Sequence, residues 1–206
     1  MNARAGLYGV GQEFEQEAAR RLATNGWIVI PVSEYANNTG AKINAPMLVS
    51  PKGVAISPDL LAMKAGEKSF WFEVKDKSEP TYTWKFGRWE HGIDKPNADD
   101  YKTVQENSGI PVVILIHERN SPKTPDLYLS SSDDIGAYRK MKADLQPSNL
   151  WLWVYLDDAI KHGNVRANNP EMTKPNNPTG SGLYWPRSIM KEWRTACQPT
   201  NTPGTN

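Results

Sequence analysis

The chain has 206 residues, 38% of them hydrophobic and 23% charged, which suits one domain with embellishments or at most two small ones. Its net charge of +1 supplies no long-range field for a polyanion, so a nucleic-acid partner would have to be held by a local patch. A single cysteine, Cys197, excludes an internal disulfide, no run nears the roughly 18 apolar residues of a membrane span, and MNARAGLYGVGQEFEQ has no signal-peptide core; we expect a cytoplasmic protein with no membrane attachment.

The first predicted element is a helix from Gly9 to Asn25, because Val10, Phe14, Ala18 and Leu22 recur every four residues and Asn25-Gly26 supplies a stop. Trp27 to Val32 reads as a strand. The polar stretch that follows, up to about Gly53, reads as a long exposed loop. Asp59–Met63 and Ser69–Lys75 are then two apolar runs broken by KAGEK, a hairpin turning near Gly66. Pro96 to Gly109 reads as a helix capped by Asn97 or a nearby Asp and ended by Gly109. It runs into IPVVILIH (110–117), a strand apolar enough to be covered on both faces. Beyond residue 120 we expect a Ser-Asp-capped helix near 133–145, an aromatic strand at 150–156, an Asn- and Pro-rich loop, a last helix near 186–196, and a disordered tail from Gln198. This divides the chain into a core (1–118), a C-terminal extension packed on it (119–197) and the tail (198–206).

Inside the second hairpin strand, FEVK places charge among Trp71, Phe72 and Val74, where an unpaired charge is costly. Strand alternation puts Glu73 and Lys75 on one face with Trp71, opposite Phe70, Phe72 and Val74. A turn symmetric about Gly66 sets Asp59 across from Glu73. On the first helix, Glu13 and Glu17 have arginine partners at helical spacing, whereas Glu15 is followed by Ala18, Ala19 and Leu22 and so faces the sheet. Three carboxylates and a lysine suit Mg²⁺ held with the help of substrate phosphate, the lysine orienting or deprotonating water or stabilising charge on the phosphate. The bland alternative is a structural Glu73–Lys75 ion pair on a half-exposed face, with Glu15 snorkelling from the helix edge.

Ser57-Pro58-Asp59, thirteen residues, then Glu73-Val74-Lys75 resembles the signature of the PD-(D/E)XK nuclease superfamily. Gly11, Glu15 and Gly26-Trp27, with YKTVQENSGIPVVILIH downstream, are similar to the Holliday junction resolvase branch over about residues 9–118. The resemblance implies an α/β restriction-endonuclease-like core, ordered helix-strand-strand-strand-helix-strand with a mixed sheet flanked by helices, plus a C-terminal α/β extension. It also implies a metal-dependent DNA endonuclease using Glu15, Asp59, Glu73 and Lys75. The metal, Mg²⁺ with Mn²⁺ able to substitute, would be held by Glu15, Asp59, Glu73 and the Val74 carbonyl, and the products would carry 5′-phosphates. The nearly ninety residues after the core strand are expected to set substrate choice or to build a homodimer interface. The rivals are a restriction, repair or mobile-element nuclease acting on linear, nicked or single-stranded DNA, and a non-catalytic DNA-binding protein.

Candidate DNA contacts are Lys42 and Lys52 in the long loop, Lys77 after the motif, and Trp84, Lys85 and Arg88 within TYTWKFGRWEHG. The same alternation of Tyr82, Trp84 and Phe86 also fits a plain amphipathic strand. Tyr101 and Gln105 share the helix face on the sheet side; the resemblance allows a polar residue of this helix near the metal, but the two read as a packed tyrosine and a surface glutamine. Trp151, Trp153, Trp185 and Trp193 read as packing for the extension or as a dimer contact. The three histidines lack metal-ligand spacing, and no Walker loop, GxSxG turn or dinucleotide fingerprint is present, so no zinc site and no organic cofactor are expected.

Overall fold

A computed structural model describes residues 3–32, 34–35, 42–44, 47–50, 53–124, 135–167 and 180–193. In chain order the elements are α1 (Ala3–Thr24), β1 (Ile28–Pro31), β2 (Glu34–Tyr35), β3 (Lys42–Asn44), β4 (Met47–Ser50), β5 (Gly53–Ile56), β6 (Leu60–Met63) and β7 (Phe70–Lys77). They continue with β8 (Thr81–Thr83), β9 (Arg88–Asp94), α2 (Lys95–Ser108), β10 (Val112–Pro122), α3 (Ile135–Asp144), β11 (Leu145–Tyr155), α4 (Leu156–His162), β12 (Asn164–Ala167), β13 (Ser181–Pro186) and β14 (Lys191–Glu192). Short 3₁₀ turns occupy 84–86 and 187–189.

Six strands form a mixed sheet in the order β1-β6-β7-β10-β11-β14, in which β7 and β10 are parallel and every other neighbour is antiparallel. The parallel pair needs a crossover, which β8, β9 and α2 provide. On one face α1 lays Ala18 and Leu22 against Phe70, Phe72, Val74, Val113 and Leu115. On the other, α2, α4 and a second sheet, β12-β13-β9-β8, close over Trp71, Val112, Ile114 and Ile116. The protein is therefore a mixed α/β fold, its larger sheet flanked by helices. Covered on both faces, β10 is buried from Val112 through Glu118, as its unbroken apolar run requires.

The hairpin takes the expected register: Leu60, Leu61 and Ala62 pair with Phe72, Trp71 and Phe70 about a turn in which the Glu67 N–H donates to the Lys64 carbonyl. Helix α2 ends where Gly109, at φ +66°, takes the left-handed conformation and donates to the Gln105 carbonyl. Its N-cap is Asp94 rather than Asn97, without a side-chain cap bond.

Several expectations need correction. Helix α1 begins at Ala3, because Ala3, Arg4, Ala5 and Leu7 are good helix formers and carry it past Gly9. The expected loop holds two β-ladders, β2–β3 and β4–β5, and Leu48 and Ile56 pack against the core. Of the helix expected near 186–196, the described residues, up to 193, form a 3₁₀ turn and then β14 instead. Glu192 and Lys191 pair with Leu152 and Trp153, so the ladder outcompetes the weak helical pattern around Pro186. The cap of α3, the Asn- and Pro-rich loop from 168 to 179, and the tail from 198 lie outside the described residues. No described helix is long and apolar enough to cross a membrane.

Candidate active site

Asp59 stands where β6 begins, fixed at two points. Its carbonyl accepts from the Val32 N–H at 2.9 Å, and its carboxylate Oδ2 accepts from the Val74 N–H, also at 2.9 Å. The second bond ties it to β7 one residue from Glu73, as the hairpin register demands. Glu73 is 1% exposed, with the fully buried Ile114 opposite it on β10. The Lys75 ammonium contacts its Oε1, and the Tyr101 hydroxyl of α2 lies close enough to act on the same carboxylate. Among the described residues neither Glu73 oxygen takes a well-formed hydrogen bond.

Burial, then the charge of Asp59, raise the Glu73 carboxyl to about 7, against the opposing pull of Lys75 and Tyr101. Burial would lower Lys75, but Glu73, Asp59 and, more weakly, Glu15 carry it above the ordinary lysine value. Lys75 is thus a firmly protonated donor. Burial and the Glu73 charge likewise raise Tyr101, so its hydroxyl keeps its proton.

Glu15 lies half-buried on α1, close enough for its charge to act on Lys75. Among the described residues no three His, Cys, Asp or Glu side chains gather tightly enough to hold a metal ion by side chains alone. What is brought together is Asp59, Glu73, Lys75 and the Val74 backbone. Mg²⁺ is commonly held by one or two carboxylates, with waters and substrate phosphate completing its shell. Two adjacent buried carboxylates, one of them short of donors, fit that ion.

The other predicted contacts fall apart into separate places. Trp84 is half-buried edge-on to Tyr82, which packs with Trp89 and Met141 in a small cluster, so the amphipathic-strand reading describes this hairpin better. Arg88 is committed to the buried Glu90, which Arg166 and Thr83 also hold. Lys85 is exposed beside Phe86. Lys77 is half-buried near Lys75. Lys42 belongs to β3, but its side chain, like all of Lys52, lies outside the described residues. The tryptophans at 151, 153, 185 and 193 are all buried in the two large cores.

The sequence reading left two groups incomplete. Tyr101 packs as expected, and its hydroxyl also lies close enough to Glu73 for each to perturb the other; the available signal was that a buried tyrosine needs a partner for its O–H. Gln105 is no free surface residue, since it accepts from the Val112 N–H and donates to Asp157. The second group centres on Glu118, fully buried, which takes hydrogen bonds from Arg187, Ser121 and the His91 Nε2 at 2.6 Å. Burial alone would raise this carboxyl, but His91, Arg187 and Ser121 lower it to about 2. Burial in turn holds His91 below its usual value. A glutamate directly following IPVVILIH was the available clue.

No family model and no curated protein matches the chain. Among solved structures it is similar to the Holliday junction resolvase Hjc of the archaeal hyperthermophile Archaeoglobus fulgidus, at a TM-score of 0.45 and 12% identity, over 87% of this chain and 85% of that one.

Proposed function

We propose that the protein is a metal-dependent DNA endonuclease of the PD-(D/E)XK type, working through Asp59, Glu73, Lys75 and the Val74 carbonyl, with Glu15 as a further carboxylate. The observation that carries this reading is the buried Asp59–Glu73 pair beside Lys75: two carboxylates are held together in one buried place, and the hydrogen bonding of Glu73 is left incomplete. A structural ion pair would need one carboxylate, not two. Mg²⁺, for which Mn²⁺ could substitute, would neutralise charge on the phosphate and acidify a bound water. Lys75, held protonated, donates to the attacking water or a phosphate oxygen instead of serving as the base. Tyr101 steadies Glu73 through its hydroxyl. Cutting both strands of a branched or duplex DNA calls for two sites, so the reading includes a homodimer.

Asp59→Asn is the variant that tests it, because an amide oxygen can still accept from the Val74 N–H and the fold is spared. Supercoiled plasmid, linear duplex, single strand, flap and four-way junction would be compared with and without Mg²⁺, and the protein's mass taken by sedimentation. The expected result is metal-dependent cutting by a dimer, lost in Asp59→Asn while DNA binding persists. Symmetric nicks confined to the junction would assign resolvase specificity. Metal-independent behaviour identical in both proteins would sink the nuclease reading and leave a DNA-binding protein or a structural ion pair.

A further inference from the structure

Next to the Glu73–Lys75 pair lies a cleft of about 280 Å³, lined among others by Lys75, Lys77, Gly92, Asp94, Asn97 and Tyr184. Its charges are unevenly matched. Of the carboxylates along it, Glu79 is paired with Lys142, and Glu90 with Arg88 and Arg166, while Asp94 acts on Lys77 only through space, as Asp76 and Glu73 do. The Lys77 ammonium forms no ion pair among the described residues, although it is half-buried beside Lys75. A half-buried cation that no carboxylate touches can take an anion directly.

The opposite wall is built with equal care for position. A Cβ at Gly92 would lie 2.5 Å from the Tyr184 ring, and one at Gly182 equally 2.5 Å from it, so the ring rests flat on the backbones of β9 and β13. The Arg166 guanidinium covers it at 4.2 Å and is itself anchored to Glu90 and Thr83. What the ring leaves to the cleft is its edge. Held this way, it loses little freedom when a second ring packs against it.

We propose that this cleft receives one unpaired nucleotide adjoining the scissile phosphodiester, its phosphate on Lys77 and its base against Tyr184. The proposal rests on the nuclease reading above and adds a substrate class to it. The volume is at the small end for a site that holds one organic ligand. It admits a nucleotide and excludes a base pair, so the DNA that fits is gapped, frayed or single-stranded beside the cut. An aromatic edge and a lone ammonium read strand state and no particular base.

The test uses the full chain with Mg²⁺ and two labelled duplexes, one continuous and one with a short thymidine gap. Alongside, the fluorescence anisotropy of a labelled thymidine oligonucleotide is followed with Ca²⁺ in place of Mg²⁺. Wild type, Lys77→Gln and Tyr184→Ala are compared after their melting curves are checked; should Tyr184→Ala unfold, Lys77→Gln carries the test alone. Wild type is expected to prefer the gapped duplex. Each substitution should erase that preference through KM and weaken oligonucleotide binding by about fivefold, the range of one edge-to-face aromatic contact or one phosphate contact. Equal cutting of both duplexes, or a preference that survives both substitutions, overturns the cleft proposal and leaves the nuclease reading intact. No cutting, with binding still weakened by both substitutions, removes the nuclease reading and keeps the nucleotide site. No cutting with binding indifferent to both removes the two together.

Discussion

Glu73 keeps its proton up to about pH 7 because burial and the Asp59 charge both disfavour the anion. A carboxyl raised above its ordinary 4.5 binds protons more tightly in the folded than in the unfolded chain. Its contribution to stability is therefore full below about pH 4.5 and is lost as pH climbs through 7, a change of about 3 kcal/mol at most. Urea unfolding without metal should show stability falling across that window, and Glu73→Gln should flatten the fall. Mg²⁺ should reverse it: added at pH 8, it should raise the wild-type melting temperature and leave Glu73→Gln unmoved. A wild-type slope identical to that of the variant would mean that Glu73 is not perturbed. Asp59, Glu73 and Lys75 could be read from sequence because they lie on one hairpin, where alternation and a symmetric turn decide which side chains meet. Tyr101 could be placed only on the sheet-facing side of its helix, since its approach to Glu73 depends on how α2 is laid across the sheet.

At the scale of elements, two joints can be tested separately. Gly109 ends α2 at φ +66° with open space around its Cα, so Gly109→Ala adds strain and no clash. It should cost about 1 kcal/mol, read as a lower urea midpoint at unchanged m-value. The second joint is the Arg187–Glu118–His91 cluster, which fastens β9 and the turn at 187–189 to β10. Arg187→Ala strands a buried carboxylate and should cost about 3 kcal/mol at neutral pH. A carboxyl lowered to about 2 contributes stability that is present above its ordinary 4.5 and is lost as pH falls through 2. Without Arg187 the lowering is smaller, so less stability should be lost between pH 4.5 and 2, visible as a flatter acid-unfolding series. Elements with strong local signals, such as α2 with its glycine stop and β10 with its apolar run, were legible. The end of the chain was not, because β14 owes its form to pairing with Leu152 and Trp153 about forty residues earlier in the sequence.

For the whole molecule, the described strands after 118 are woven into both sheets. Strand β11 lies along the whole length of β10, and β13 joins β9 while Trp185, 0% exposed, fills the core between the sheets. A chain stopped at Pro122 would bare Val113, Leu115 and the free edge of β10, and should fail to fold, as circular dichroism and amide-proton NMR would report. A cooperative melt from that fragment would instead make 1–118 an independent unit. The core order was legible because each of its six elements carries a local signal of its own; the second sheet was not, because β9 and β13 are brought together across about ninety residues.

The crossover has a consequence in time. The β6–β7 hairpin is local and can be sampled within ~10 μs once it leaves the ribosome, so Asp59 and Glu73 meet early. Tyr101 and Ile114, which bury and perturb Glu73, follow some tens of residues later. Tyr184 emerges last, on the order of ten seconds after the hairpin at ordinary rates of synthesis. The growing chain thus acquires its carboxylate pair first, the burial that perturbs Glu73 second, and the wall that narrows access third.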